Sequence, residues 1–99
     1  MIIAEVSIAP LGVGTSVSKY VKEAVKVLKS SGLKVTVGGM STTLEAPDLE
    51  TLFKWIAAAE AAEIAAGAKR VLIHLKVDDR RDKDLTMDYK VQSVMDKLG

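Results

Sequence analysis

Leu33-Lys34-Val35-Thr36-Val37-Gly38-Gly39-Met40-Ser41-Thr42-Thr43-Leu44-Glu45-Ala46 is the stretch whose reading decides the fold. Leu33, Val35 and Val37 alternate with Lys34 and Thr36, the period of a strand with one apolar face. Gly38-Gly39 is a hairpin dipeptide, and a further strand is expected from about Met40 to Glu45. Upstream, Ala4, Val6 and Ile8 alternate with Ile3, Glu5, Ser7 and Ala9, which predicts a first strand over Ile2 to Ala9. Pro10, Gly12 and Gly14 break it. Thr15 or Ser16 is placed to cap a helix with the stripe Val17, Tyr20, Val21, Ala24, Val25 and Leu28, and Gly32 is its natural stop. Downstream, Pro47-Asp48 opens a long helix capped by Asp48, with Leu49, Leu52, Phe53, Ile56, Ala59 and Ile64 expected to face the sheet. Trp55 lies on this helix too, so either it or Phe53 must point partly away. Gly67 ends the helix. Val71, Ile73, Leu75 and Val77 alternate with Leu72, His74 and Lys76 in a fourth strand. After a charged turn, Asp78 to Asp84, Thr86 caps a last helix with apolar Met87, Val91, Val94, Met95 and Leu98.

The hairpin therefore sits between a strand-helix unit and a helix-strand unit. Right-handed crossovers in both halves give an α+β, ferredoxin-like βαββαβ antiparallel sheet. Two helices cover one face and a C-terminal helix follows. No linker or repeat divides the chain, so one domain over residues 1–99 is expected. The other face is left open, carrying Glu5, Ser7, Lys34, Thr36, Ser41, Thr43, Glu45, His74 and Lys76, with Ile3 and Leu72 among them. A mixed face of that kind is either wet or a contact between copies.

Composition bounds the chemistry. The chain has 99 residues, 48% apolar and 27% charged, an ordinary globular balance. A chain of this length buries about 65% of its unfolded surface, enough for a core without staples. It has no cysteine, which excludes disulfides, thiolate metal sites and cysteine nucleophiles. A net charge of +1 gives no broad field for nucleic acid or an anionic bilayer. No apolar run reaches the ~20 residues of a membrane span, and the first residues carry no basic leader. A cytoplasmic location is expected.

Single residues offer little catalytic machinery. His74 is the only histidine and has no serine or cysteine partner at a recognised spacing. Asp78, Asp79, Asp82 and Asp84 are interleaved with Arg80, Arg81 and Lys83 and lack calcium-loop spacing, which reads as a salt-linked turn with no metal. Arg80 could instead serve an intersubunit contact. Pro10 to Ser16 resembles a glycine loop at a helix N-terminus but has no Gly-Lys-Ser/Thr. Base stacking on an open sheet needs aromatics, whereas Ile3, Glu5, Ser41 and Thr43 hold those positions. An acylphosphatase-like site would need an arginine in the first loop and an asparagine, and both are missing. What remains is the third strand, whose hydroxyls and carboxylate can line a small-molecule site.

Taken in order, several segments resemble the small thiamine-binding protein family. They are Glu5-Val6-Ser7-Ile8-Ala9-Pro10-Leu11-Gly12, Thr15-Ser16-Val17-Ser18-Lys19-Tyr20-Val21, Met40-Ser41-Thr42-Thr43-Leu44-Glu45, Ala66-Gly67-Ala68-Lys69-Arg70-Val71 and Val77-Asp78-Asp79-Arg80-Arg81-Asp82-Lys83. Lys90-Val91 with Ser93-Val94 closes the pattern. The resemblance implies a ferredoxin-like protomer that dimerises through its sheet and commonly forms homotetramers. It implies binding of thiamine or its hydroxymethylpyrimidine half, with no catalysis and no cofactor. Thr42 and Glu45 match the family's threonine-glutamate motif; Ser7 and Ser16 match nearby polar positions, and Thr43 lies within the motif. Two positions depart from the family: Ser41 replaces a frequent glycine, and Glu60 a frequent histidine.

An aminopyrimidine offers an amino donor and ring-nitrogen acceptors that hydroxyls and a carboxylate can complement, and Glu45 would make a charge-assisted bond. Strict alternation, however, puts Thr42 and Glu45 on opposite faces. Either a bulge re-aims one, or only one touches ligand. The expected function is non-enzymatic binding of thiamine or its pyrimidine half by a homo-oligomer, with no nucleic-acid or membrane partner. The alternative is an oligomerisation module that retains no ligand. An enzyme acting on a pyrimidine would have only Glu45, Glu5 or His74 as a base.

Overall fold

The computed structural model describes residues 1–99. Its elements are β1 (Ile2–Pro10), α1 (Ser18–Ser30), β2 (Val35–Val37), β3 (Thr42–Ala46), α2 (Leu49–Ala65), β4 (Val71–Asp78) and α3 (Met87–Lys97). The strands form one sheet in the order β2-β3-β1-β4, with every neighbouring pair antiparallel. This is the ferredoxin-like βαββαβ arrangement, extended by α3. β1 is the longer of its two inner strands: it runs from Ile2↔Ala46 to Val6↔Thr42 against β3, and from Ile3↔Asp78 to Pro10↔Val71 against β4.

Alternation along β1 decides which face is dry. Ile2, Ala4, Val6 and Ile8 are buried with Leu44 and Ala46 of β3. Ala24 and Leu28 of α1, and Leu52, Ile56 and Ala59 of α2, close over them as one apolar cluster. Asp48 caps α2 by accepting from the Thr51 N–H at 2.7 Å, and that bond holds its carboxyl below the usual carboxylate range.

Two expectations are corrected by the packing. Thr15 and Ser16 do not cap α1: Val17 does, its carbonyl accepting from Tyr20 and Val21, and no side chain takes part. On α2 the buried stripe is Leu52, Ile56, Ala59 and Glu63, so Phe53 and Ile64 are turned outward and stand 50% and 51% exposed, with Leu49 exposed beside them. Each helical residue rotates by about 100°, so the neighbour of a sheet-facing residue cannot share its face. Trp55, by contrast, packs on the edge of the core. On α3 only Met87 is buried, while Val91, Val94, Met95 and Leu98 are each more than half exposed.

α3 lies on the sheet face that α1 and α2 leave open. Its first N–H, from Met87, donates to the Glu45 carboxylate at 2.7 Å. Lys34 pairs with Asp88, Lys90 with Asp78, and the N-terminal amine with Asp84. No helix is long and apolar enough to cross a membrane.

Candidate functional site: a cleft where the third strand stops

β1 is longer than its partner. Pairing with β3 ends at Val6↔Thr42, although β1 continues to Pro10. Beyond Thr42 the chain turns through Met40 and Gly39 into the hairpin, which is closed by the Gly38 N–H donating to the Ser41 carbonyl at 2.8 Å. A Cβ at Gly38 would stand 3.0 Å from that carbonyl, so the tight turn suits glycine. The missing length of β3 leaves a notch in the sheet, and α1 lies alongside it.

The result is a cleft of about 320 Å³, within the usual size range of small-ligand sites. Val17, Val21, Val25 and Leu28 of α1 form one wall, and Val37 to Thr42 the other. Val6 to Ala9 form the floor. Its polar groups are the Ser18 and Thr42 hydroxyls and backbone, and no charged side chain lines the cleft. Ser7 and Ser41 border it, but Ser7 alternates with buried Val6 and Ile8 and the Ser41 hydroxyl is bonded to Glu5, so both hydroxyls belong to the other face. Such a space suits an uncharged planar ring, because an isolated charge there would lose its hydration without compensation.

The sequence-derived site residues divide between two faces. Thr42 lines the cleft, only 7% exposed on the helix side of the sheet beside Val6, whereas Ser7 only borders it. Ser16 is exposed in the loop before α1 and is not among the lining residues; Ser18, two positions on, is. Thr43 sits on the opposite face, donating to the Thr36 carbonyl at 3.4 Å. Glu45 is on that same face, 6% exposed, with its carboxylate on the Met87 N–H. The register from Ile2↔Ala46 to Val6↔Thr42 is continuous, so no bulge re-aims Thr42 or Glu45. Glu45 faces the N-terminus of α3, where a negative charge is favoured.

A second, shallower depression lies on the open face and shares Ser7, Met40 and Ser41 with the cleft. Glu5, His74 and Lys76 border it, and the Glu5 carboxylate accepts from the Ser41 hydroxyl at 3.0 Å. The notch is thus flanked on one side by an uncharged cleft and on the other by a polar surface carrying a carboxylate. In the charged turn, Arg80 grips Asp82 and Arg81 grips Asp79, each through two hydrogen bonds. These pairs hold the Asp82 carboxyl low and both guanidinium groups high. No three His, Asp or Glu side chains gather as a metal site.

Residues 4–95 match the sequence profile of the family described as "Thiamine-binding protein". The chain belongs to that family. Among its relatives, a UPF0045 protein of Methanothermobacter thermautotrophicus is 46% identical over 99 residues, covering 99% of this chain and 100% of the relative. The UPF0045 protein MJ1052 of Methanocaldococcus jannaschii is 43% identical over 94% of this chain and 91% of its own length. The crystal structure of MJ1052 superposes with a TM-score of 0.87 at 42% identity, covering 95% of each chain. A Thermotoga maritima structure, described as a candidate thiamine biosynthesis or salvage protein, shares the fold with a TM-score of 0.79 at 20% identity, over 94% of this chain and 97% of that one.

For a member of the thiamine-binding family, the residues that sequence reasoning missed are instructive. Val21 and Val25 read as members of an ordinary helix stripe, Ser18 only as part of the segment entering that helix, and Gly38-Gly39 as a turn. Only the early end of β3 turns them into walls.

Proposed function

We propose that this chain binds thiamine or its hydroxymethylpyrimidine half reversibly, without turnover, in the cleft between α1 and the β2–β3 hairpin. The uncharged cleft, in a chain of the thiamine-binding family, carries the reading. A pyrimidine ring would lie among Val21, Val25 and Leu28, within reach of the Thr42 and Ser18 hydroxyls. The cationic thiazolium of intact thiamine would stay at the mouth, toward Ser41 and Glu5, because the interior offers it no counter-charge. Glu45 and Thr43 are assigned to the fold: Glu45 anchors α3, and Thr43 ties β3 to β2. The protein would act in the cytoplasm as a homo-oligomer assembled through its open sheet face.

Calorimetric titration with hydroxymethylpyrimidine and with thiamine tests the reading. Heat of binding is expected for the pyrimidine, and a Val25→Trp variant, its indole filling the cleft, is expected to lose it while keeping the wild-type circular dichroism. No heat at millimolar ligand would overturn it.

A second reading rests on α3. Val91, Val94, Met95 and Leu98 form an exposed apolar stripe, and Leu72, Ile73 and Leu75 of the edge strand β4 are exposed as well. A module that only assembles with its own copies would use these surfaces and leave the cleft empty. Native mass spectrometry separates the two: oligomers that retain no ligand after incubation with it favour the second.

A further inference from the structure

The floor of the cleft holds a backbone hydrogen-bonding edge that the fold leaves unused. The Leu11 N–H donates to the Arg70 carbonyl at 2.8 Å, continuing the β1–β4 register by one pair. In an antiparallel pair both backbone groups of a residue point to the same side, and that side alternates along the strand. Odd-numbered residues of β1 therefore bond toward β4, and even-numbered residues toward β3. β3 gives the same parity independently: the Glu45 N–H donates away from β1, to the Lys34 carbonyl at 3.0 Å, so Thr42, Leu44 and Ala46 are the residues turned to β1.

Ile2, Ala4 and Val6 meet Ala46, Leu44 and Thr42. The next even residue, Ile8, would meet Met40, but the chain has already turned away there. None of the 12 backbone hydrogen bonds outside the helices and strands reaches Ile8 or Met40. The following even residue is Pro10, which has no N–H. Ile8 is thus the one position where β1 presents both a free donor and a free acceptor, and it does so into a cleft that it lines. Its side chain is buried in the core on the helix side, which fixes the backbone in place. An amide pair left open beside an apolar wall is a recognition element of the kind that edge strands offer.

We infer that the backbone N–H and C=O of Ile8 read the edge of an uncharged heteroaromatic ring carrying an amino group next to a ring nitrogen. The amino group donates to the Ile8 carbonyl and the ring nitrogen accepts from the Ile8 N–H, replacing the missing residue of β3. This rests on the cleft being the pyrimidine site proposed above, and it names the atoms that would make that site selective. It also accounts for selectivity in a cleft without a charged side chain, since main-chain groups supply directional hydrogen bonds without a buried charge.

The test is ¹⁵N-resolved NMR of the full-length protein titrated with hydroxymethylpyrimidine and with its analogue bearing methyl in place of the amino group. With the aminopyrimidine, the Ile8 amide proton is expected to move downfield and its solvent exchange to slow at least tenfold; the Ser7 and Ala9 amides, already bonded toward β4, should keep their rates. The methyl analogue is expected to bind at least tenfold more weakly. Shifts confined to Val21, Val25 and Thr42, with an unmoved Ile8 amide and equal affinity for the two compounds, would overturn this inference while leaving the cleft as the binding site. Absence of any shift with either compound would overturn both.

Discussion

Replacing Glu63 should flatten the pH dependence of stability, because this side chain is the one titratable group sealed in the core. It is 0% exposed, and neither carboxylate oxygen has a hydrogen-bond partner. Burial alone pushes its pKa from 4.5 up to about 7. Desolvation is the sole cause of the shift, and no neighbouring charge favours the ionised form. The unfolded chain releases this proton near 4.5, whereas the folded chain holds it to about 7. Between those values the unfolded state binds fewer protons, so stability falls as pH rises, by about 1.4 kcal/mol per pH unit. Over the whole window the loss is about 3 kcal/mol. Below it the proton is bound in both states and there is no penalty; above it the penalty is constant. Against a typical net stability of roughly 5–15 kcal/mol, the effect is large. Urea unfolding of the wild type and of Glu63→Gln at about pH 5 and about pH 8 measures it, since the variant cannot ionise. The wild type should lose about 2.5 kcal/mol relative to the variant across that interval, because part of the penalty is already present at pH 5. A wild-type-minus-variant difference that stays constant with pH would refute the reasoning.

Other consequences follow from the same contacts. Glu45→Ala removes a buried charge-assisted acceptor from the Met87 N–H and should cost about 2 kcal/mol in urea unfolding, with faster amide exchange at the start of α3 and unchanged affinity for hydroxymethylpyrimidine. Gly38→Ala forces a Cβ against the Ser41 carbonyl at 3.0 Å; a loss of about 1 kcal/mol in stability and weaker ligand binding are expected by thermal melts and calorimetry. Leu44→Ala, beneath both helices, should cost about 2–5 kcal/mol in urea unfolding. Val94→Lys with Met95→Lys, on the exposed stripe of α3, should lower the mass seen by light scattering while leaving the circular dichroism unchanged.

Much of the architecture was legible because period-two alternation in β1 and β4, and the glycine pair between two strands, are local signals. Alternation also placed Thr42 and Glu45 on opposite faces, as the register has them. The point where β3 starts was not legible. Met40 and Ser41 sit in a stretch that reads as strand, but the Gly38–Ser41 turn takes them out of pairing with β1, and turn geometry outweighs propensity at a hairpin. With that boundary unread, the cleft and the free edge of Ile8 stayed hidden. The run Ala57 to Ala66 gives α2 little amphipathic contrast, so apolarity alone assigns Phe53 and Ile64 inward, and nothing in the pattern singles out Glu63. The packing turns both outward and buries Glu63, because Leu52, Ile56 and Ala59 fix the rotation of the helix and position 63 follows on the same stripe. Glu45 has the residue type of a ligand-binding carboxylate, and only the path of α3 reveals the N–H it faces.

A crystal structure of the protein grown with saturating hydroxymethylpyrimidine tests the central claim most directly. The ring should occupy the notch between α1 and the β2–β3 hairpin, edge-on to Ile8 and beside Thr42. Density for the ring on the other side of the sheet, against Glu45 or His74 with the notch filled only by water, would contradict the account.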